Sequence, residues 1–176
     1  MGENSNYWLV GSKWEETDKT EDFIKNKIWE YGGSEDKYLN RVNSIQTGDK
    51  IALKASYVKT KNLPFENNGK PVSVMKIKAV GTVLDNPKNG KSVKVDWDIN
   101  FKSKEIFGVS YRKTISIIDK EKWKIPISWI FENKDQDDFF SFNNFTNDES
   151  ENFCMHQPLN QILYGPPGTG KTYNTI

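Results

Sequence analysis

The chain has 176 residues, 35% hydrophobic and 13% aromatic, with a formal net charge of +1, which leaves room for one domain and a tail. No run of about 18 apolar residues occurs, so no membrane-spanning helix is expected, and no basic-apolar signal segment opens the chain, which points to the cytoplasm. Cys154 is the only cysteine and His156 the only histidine, which excludes an internal disulfide framework and leaves no Cys/His zinc set.

Tyr7-Trp8-Leu9-Val10, ending at Gly11, reads as a buried first strand. Asp18 and Thr20 offer N-cap chemistry, with Glu21 at capping-box spacing from Asp18. Ile24, Ile28 and Tyr31 then recur at helical spacing until Gly32-Gly33, so one helix is expected across this stretch. Three alternating runs follow: Ile51, Leu53, Ala55 and Tyr57; Met75, Ile77, Ala79 and Val83; and Val93, Val95, Trp97 and Ile99. The turn-forming stretches 67–71 and 85–90 separate them. A further strand is expected over 114–118, and 123–131 closes the domain. The pattern predicts an α+β fold: a small curved mixed sheet or open barrel with flanking helices, spanning residues 1–133.

Charge is segregated along the chain. Residues 1–49 carry 6 Lys/Arg against 10 Asp/Glu, residues 50–124 carry 17 against 7, and residues 134–157 carry 1 against 6. The basic middle suits an anionic polymer, because neutralising phosphates supplies most non-specific affinity; lysines that solvate the outer faces of strands would give the same count. Residues 134–157 are acidic and Asn-rich, interrupted by Phe139, Phe140, Phe142 and Phe145. That composition reads as a linker whose phenylalanines dock on a neighbouring surface.

Residues 158–176 carry the most specific signal. Gly165-Pro166-Pro167-Gly168-Thr169-Gly170-Lys171-Thr172 is a complete phosphate loop preceded by the strand-like Ile162-Leu163-Tyr164. Its backbone N–H groups, opened by Gly165, Gly168 and Gly170, would cradle the phosphates of ATP or GTP; Lys171 would reach the β/γ-phosphates and Thr172 would hold Mg²⁺. Hydrolysis also needs an acidic strand and a water-positioning group. Only four residues follow the loop, so this is read as the start of a motor rather than a whole one. The first 133 residues contain no histidine, hence no imidazole base and no His-dependent triad. Carboxylate neighbours such as Glu15-Glu16 and Glu21-Asp22 read as surface charges, and no catalytic residue is assigned. The region reads as a binding module.

Tyr7-Trp8-Leu9-Val10-Gly11-Ser12, Ile28-Trp29-Glu30 and Gly48-Asp49-Lys50-Ile51-Ala52-Leu53-Lys54 resemble the EVE domain, a relative of YTH domains in the PUA-like superfamily. Leu63-Pro64-Phe65-Glu66-Asn67-Asn68-Gly69-Lys70, Ser73-Val74-Met75 and Val95-Asp96-Trp97 resemble the EVE-like domains fused in front of the AAA+ motor of McrB-type, methylation-dependent restriction systems. The resemblance covers residues 5–131, and the phosphate loop falls where that family places it.

This resemblance implies a reader of DNA carrying a modified base, which flips the base into an aromatic cage. It further implies a ring-forming NTPase that works with a separate nuclease subunit. Ser12 is then the polar floor, Trp29, Trp14 and Trp97 are candidate walls, Tyr57 lines the mouth, and Tyr111 is the candidate for the cage aromatic that YTH domains carry in a later loop. Lys54, Lys59, Lys61, Arg112 and Lys113 are candidate phosphate contacts. Gly11 stands where many relatives carry lysine, which leaves methylcytosine, hydroxymethylcytosine and methyladenine open. An RNA-binding module or a protein-interaction adaptor fused to the same motor are the alternatives.

Overall fold

Alternation along the first strand sorts the molecule into two cores. The computed structural model describes residues 5–136, in which β1 (Tyr7–Gly11) sends Trp8 and Val10 to one face of the sheet and Leu9 to the other. The chain continues through β2 (Lys13–Trp14), β3 (Thr17–Asp18), α1 (Thr20–Asn26), β4 (Ile28–Glu30), α2 (Asp36–Ser44), β5 (Lys50–Lys59), β6 (Val72–Asp85), β7 (Ser92–Trp97), β8 (Lys104–Phe107), β9 (Ile115–Ile117) and α3 (Lys124–Phe131). The main sheet runs β4-β7-β6-β5-β1-β9, with β8 added to β6 and β2-β3 forming a separate ribbon. The pair β1·β5 is parallel and every other pair is antiparallel. The result is an α+β fold whose mixed sheet curls into a half-barrel. Among the described residues, no helix is long and apolar enough to cross a membrane.

The first core holds Trp8, Val10, Trp29, Ile51, Leu53, Val93, Val95 and Trp97, closed by Phe23 of α1, Val42 of α2 and Ile45 at the end of α2. The second holds Leu9, Ala52, Met75, Ile77 and Ile106 beneath Ile127, Trp129 and Ile130 of α3. Pro126 lies in the first turn of α3, where the missing N–H is tolerated. Asp49 joins loop to strand. Its buried carboxylate accepts from Asn6 N at 2.8 Å, Trp8 Nε1 at 2.8 Å and Gln46 N at 3.0 Å, so the start of β1 and the turn before β5 share one anchor.

The expected single helix up to Gly32 is in fact a helix and a strand. Lys27 takes a left-handed conformation (φ 54°) and its N–H returns to Ile24 and Phe23, which ends α1; Ile28–Glu30 then pair with β7, Trp29 opposite Val93. The Ile24–Ile28 spacing therefore bridges two elements, and Phe23 supplies the buried contact of α1. A second difference lies in β6. Leu53 pairs with Ala79 while Lys54 pairs with Ile77, so Lys78 is an extra residue, a bulge. Met75 and Ile77 serve the second core, Ala79 and Val83 the first. Ile99 lies beyond β7 and is exposed.

Candidate nucleic-acid interface

The bulge aims a cation. Lys78 Nζ donates to Ser12 Oγ at 2.8 Å and to Asp18 Oδ2 at 2.6 Å, joining β6 to the ribbon that follows β1. Asp18 Oδ1 also accepts from Ser12 Oγ at 2.9 Å and from the Thr20 backbone N–H at 3.0 Å, and it lies 2.6 Å from Thr20 Oγ1. That backbone bond satisfies one of the orphan donors at the start of α1, one residue away from the formal cap position at Lys19. Partial burial by itself would raise the Asp18 carboxyl. The hydrogen bonds from Lys78, Thr20 and Ser12 outweigh it and hold the group far below the usual carboxylate range. Ser12, expected as a floor group, is buried at the centre of this network. Asp18 and Thr20 were expected only as helix caps and Lys78 not at all; none was among the expected site residues.

Two indoles lie beside the network. Trp29 is wholly buried on β4, and its Nε1 donates to the Gly11 carbonyl at 2.9 Å, tying β4 to the end of β1. Trp14 is half-buried on the β2–β3 ribbon, which turns tightly with Glu15 at φ 51°. Its five-membered ring lies on Gly32, so closely that a Cβ there would sit 2.7 Å from Cγ and Cδ1. Its Nε1 points to the Glu30 carbonyl at 3.4 Å, the Phe23 ring meets it at 63° and 6.0 Å, and Lys19 Nζ lies 5.8 Å from the ring centroid. Gly32 thus seats the indole and is not the expected helix stop, which Lys27 supplies instead.

Arg112 and Lys113 reach the same end of β1 by another route. The Gly11 N–H donates to the Thr114 carbonyl at 2.8 Å, which holds segment 111–114 against the strand with both side chains exposed. Lys54, the register partner of Gly11, is buried and donates Nζ to the Lys113 carbonyl at 2.9 Å; Ser56 Oγ bonds the Tyr111 carbonyl at 2.8 Å. Lys54 therefore straps the segment down and does not present its charge outward. Burial lowers its ammonium pKa to about 8. Tyr111 stacks edge-on with Trp123 at 4.9 Å, beside the second core.

The remaining expected residues lie elsewhere. Tyr57 Oη and Lys59 Nζ both bond Glu105 of β8, further along β5; burial and this carboxylate push the Tyr57 hydroxyl up to about 12. Lys61 is exposed in the loop after β5. Trp97 is buried with Nε1 shared between the carbonyls of Phe23 and Ile28, so it serves as core at the α1–β4 joint. The structure therefore brings Ser12, Trp14, Trp29, Lys54, Arg112 and Lys113 to one end of β1, and leaves Tyr57, Lys59, Lys61 and Trp97 apart from it. The linker phenylalanines and the phosphate loop, with Gly165, Gly168, Gly170, Lys171 and Thr172, lie outside the described residues. No family model and no curated protein matches the chain.

Proposed function

We propose that residues 5–136 read a modified base in DNA, with the half-barrel serving as a PUA-like, EVE/YTH-like module that targets a modification-dependent restriction NTPase. The observation that carries this reading is the end of β1. There a dense polar network (Ser12, Asp18, Thr20, Lys78) adjoins two indoles, Trp14 and Trp29, while exposed Arg112 and Lys113 flank the same strand end. The curled mixed sheet, with helices on both faces, is compatible with such a module. The phosphate loop at 165–172 supports a downstream motor driven by GTP or ATP with Mg²⁺, a homo-oligomeric ring and a nuclease subunit.

Magnitudes set what such a reader can achieve. Flipping a base out of duplex DNA costs a few kcal/mol, and stacking on aromatics returns about 1–3 kcal/mol per base. A buried methyl adds about 0.8 kcal/mol, so a single domain discriminates by several-fold and a ring of linked domains amplifies the preference. Exposed cations set affinity, and contacts to the base set choice.

The test is fluorescence anisotropy at low salt. It uses one short duplex, unmodified or carrying a single methylcytosine, hydroxymethylcytosine or methyladenine. One modification should bind several-fold better than the unmodified duplex, and Arg112→Ala with Lys113→Ala should weaken all probes alike. Equal binding to all four would leave a non-specific clamp and overturn the reading.

A further inference from the structure

The chain does not leave the domain where α3 ends. Asn133 turns it with a left-handed backbone (φ 57°), and the Lys134 N–H returns to the Ser128 carbonyl at 3.3 Å. Residues 134–136 then run beside β8, which among the described residues pairs with β6 alone. The Gly108 N–H bonds the Ser73 carbonyl at 3.0 Å, so alternation turns the N–H and C=O of Phe107 to the opposite, outer edge of β8. The buried Gln136 carboxamide takes both of them. Its Oε1 accepts from the Phe107 N–H at 2.9 Å and its Nε2 donates to the Phe107 carbonyl at 3.2 Å. One side chain thus covers this edge as a peptide unit of an added strand would, and it clamps the root of the linker to the sheet.

Beside this clamp is a groove of about 170 Å³, walled by Pro64, Ile106, Phe107, Trp129 and Gln136, with Lys104 also lining it. Pro64 belongs to the 63–70 stretch, whose Phe65 meets Phe107 edge-on at 5.7 Å; the end of β1 makes no use of that stretch. An apolar cavity of about 150 Å³ holds one benzene, so the groove has room for one phenyl ring. Gln136 lines the groove and is followed directly by Asp137-Asp138-Phe139-Phe140. At about 3.3 Å per residue, both phenylalanines are within reach. Charge agrees. Lys104 Nζ bonds the neutral Asn133 Oδ1 at a long 3.4 Å, burial lowers its ammonium while Asp135 raises it, and carboxylates at 137 and 138 add to the favourable side. We propose that the groove between β8 and α3 is the docking site of this chain's own residues 137–140, and that the Phe139–Phe140 pair supplies the ring that fills it. The first part of the segment that composition marks as a linker then belongs to the domain. This holds whether or not the end of β1 reads a base.

Chymotrypsin cleavage of the full 176-residue chain tests this, because cleavage tracks the fraction of molecules in which a segment is open. Cuts after Phe139 and Phe140 should be about 10-fold slower than the cut after Phe145 in the same molecule. Gln136→Ala, which releases the clamp, should remove most of that difference. Equal cleavage at the three sites in wild type, or a ratio that Gln136→Ala leaves unchanged, would overturn the docking. Should Gln136→Ala fail to fold, a second measurement decides. In the double variant Phe139→Ser with Phe140→Ser, the Trp129 ring resonances should shift through loss of a neighbouring ring current. The Trp8 indole N–H, bonded to Asp49 in the first core, should stay in place. Trp129 resonances identical in wild type and double variant would contradict the proposal. So would a Trp129 shift that depends on protein concentration equally in both, which would assign the groove to a second copy of the chain.

Discussion

Trp29 lies beside the proposed site but is a poor probe of it. It is wholly buried and its Nε1 holds the Gly11 carbonyl. Trp29→Ala should therefore lower stability by about 3–5 kcal/mol, seen as a large fall in the chemical denaturation midpoint, before any effect on binding is measurable. Asp49 is similar: truncation to Ala strands the Trp8 indole N–H and two backbone N–H groups inside the domain. A loss of about 2–4 kcal/mol is expected by the same measurement; a change under about 0.5 kcal/mol, the usual surface value, would refute the anchor. Two titrations have the same sign in different pH windows. The Asp18 carboxyl is depressed in the fold, so its contribution is complete above the ordinary value of 3.8 and is lost as pH falls below it. Lys78→Ala should flatten that acid limb. The Lys54 ammonium is lowered to about 8 from 10.5. Between these values the unfolded chain holds a proton that the folded one does not, so this group makes stability rise with pH. Thermal unfolding at pH 8 and pH 10 should show a smaller difference in Lys54→Met than in wild type.

At the scale of elements, the strands with one clear alternation were legible. The Ile51–Tyr57 and Val93–Trp97 stretches form as the period of two predicts, and the continuous apolar run of β1 forms the expected buried strand. What stayed hidden has a physical reason in each case. β6 is covered on both faces, so apolar residues occupy both parities, and the slip at Lys78 leaves the odd-numbered pattern of Met75, Ile77, Ala79 and Val83 unbroken. The one cation that the bulge aims into the site was therefore invisible as such. The end of α1 was hidden because a left-handed lysine, not a glycine, stops it, and because Ile28 of the following strand keeps helical spacing with Ile24. Lys27→Gly should then stabilise the domain by about 0.5 kcal/mol, as relief of the left-handed strain exceeds the added unfolded-state entropy. A drop in melting temperature would show that the Lys27 side chain matters more than its backbone.

For the whole molecule, segregated charge was legible from composition, but its use was not. Of five cations singled out from the basic middle, Lys54 is buried against a carbonyl and Lys59 is paired with Glu105, whereas Arg112, Lys113 and Lys61 remain exposed. Only Arg112 and Lys113 among these three lie against the end of β1. Each should account for about one unit in the slope of log affinity against log salt, and Lys61→Ala should leave that slope unchanged. The central claim is that this end of the half-barrel selects a modified base, and the most direct measurement compares one duplex with and without a single modified base by anisotropy at fixed low salt. The account predicts several-fold tighter binding of one modified duplex than of the unmodified one. Equal affinity for the modified and unmodified duplexes would contradict it.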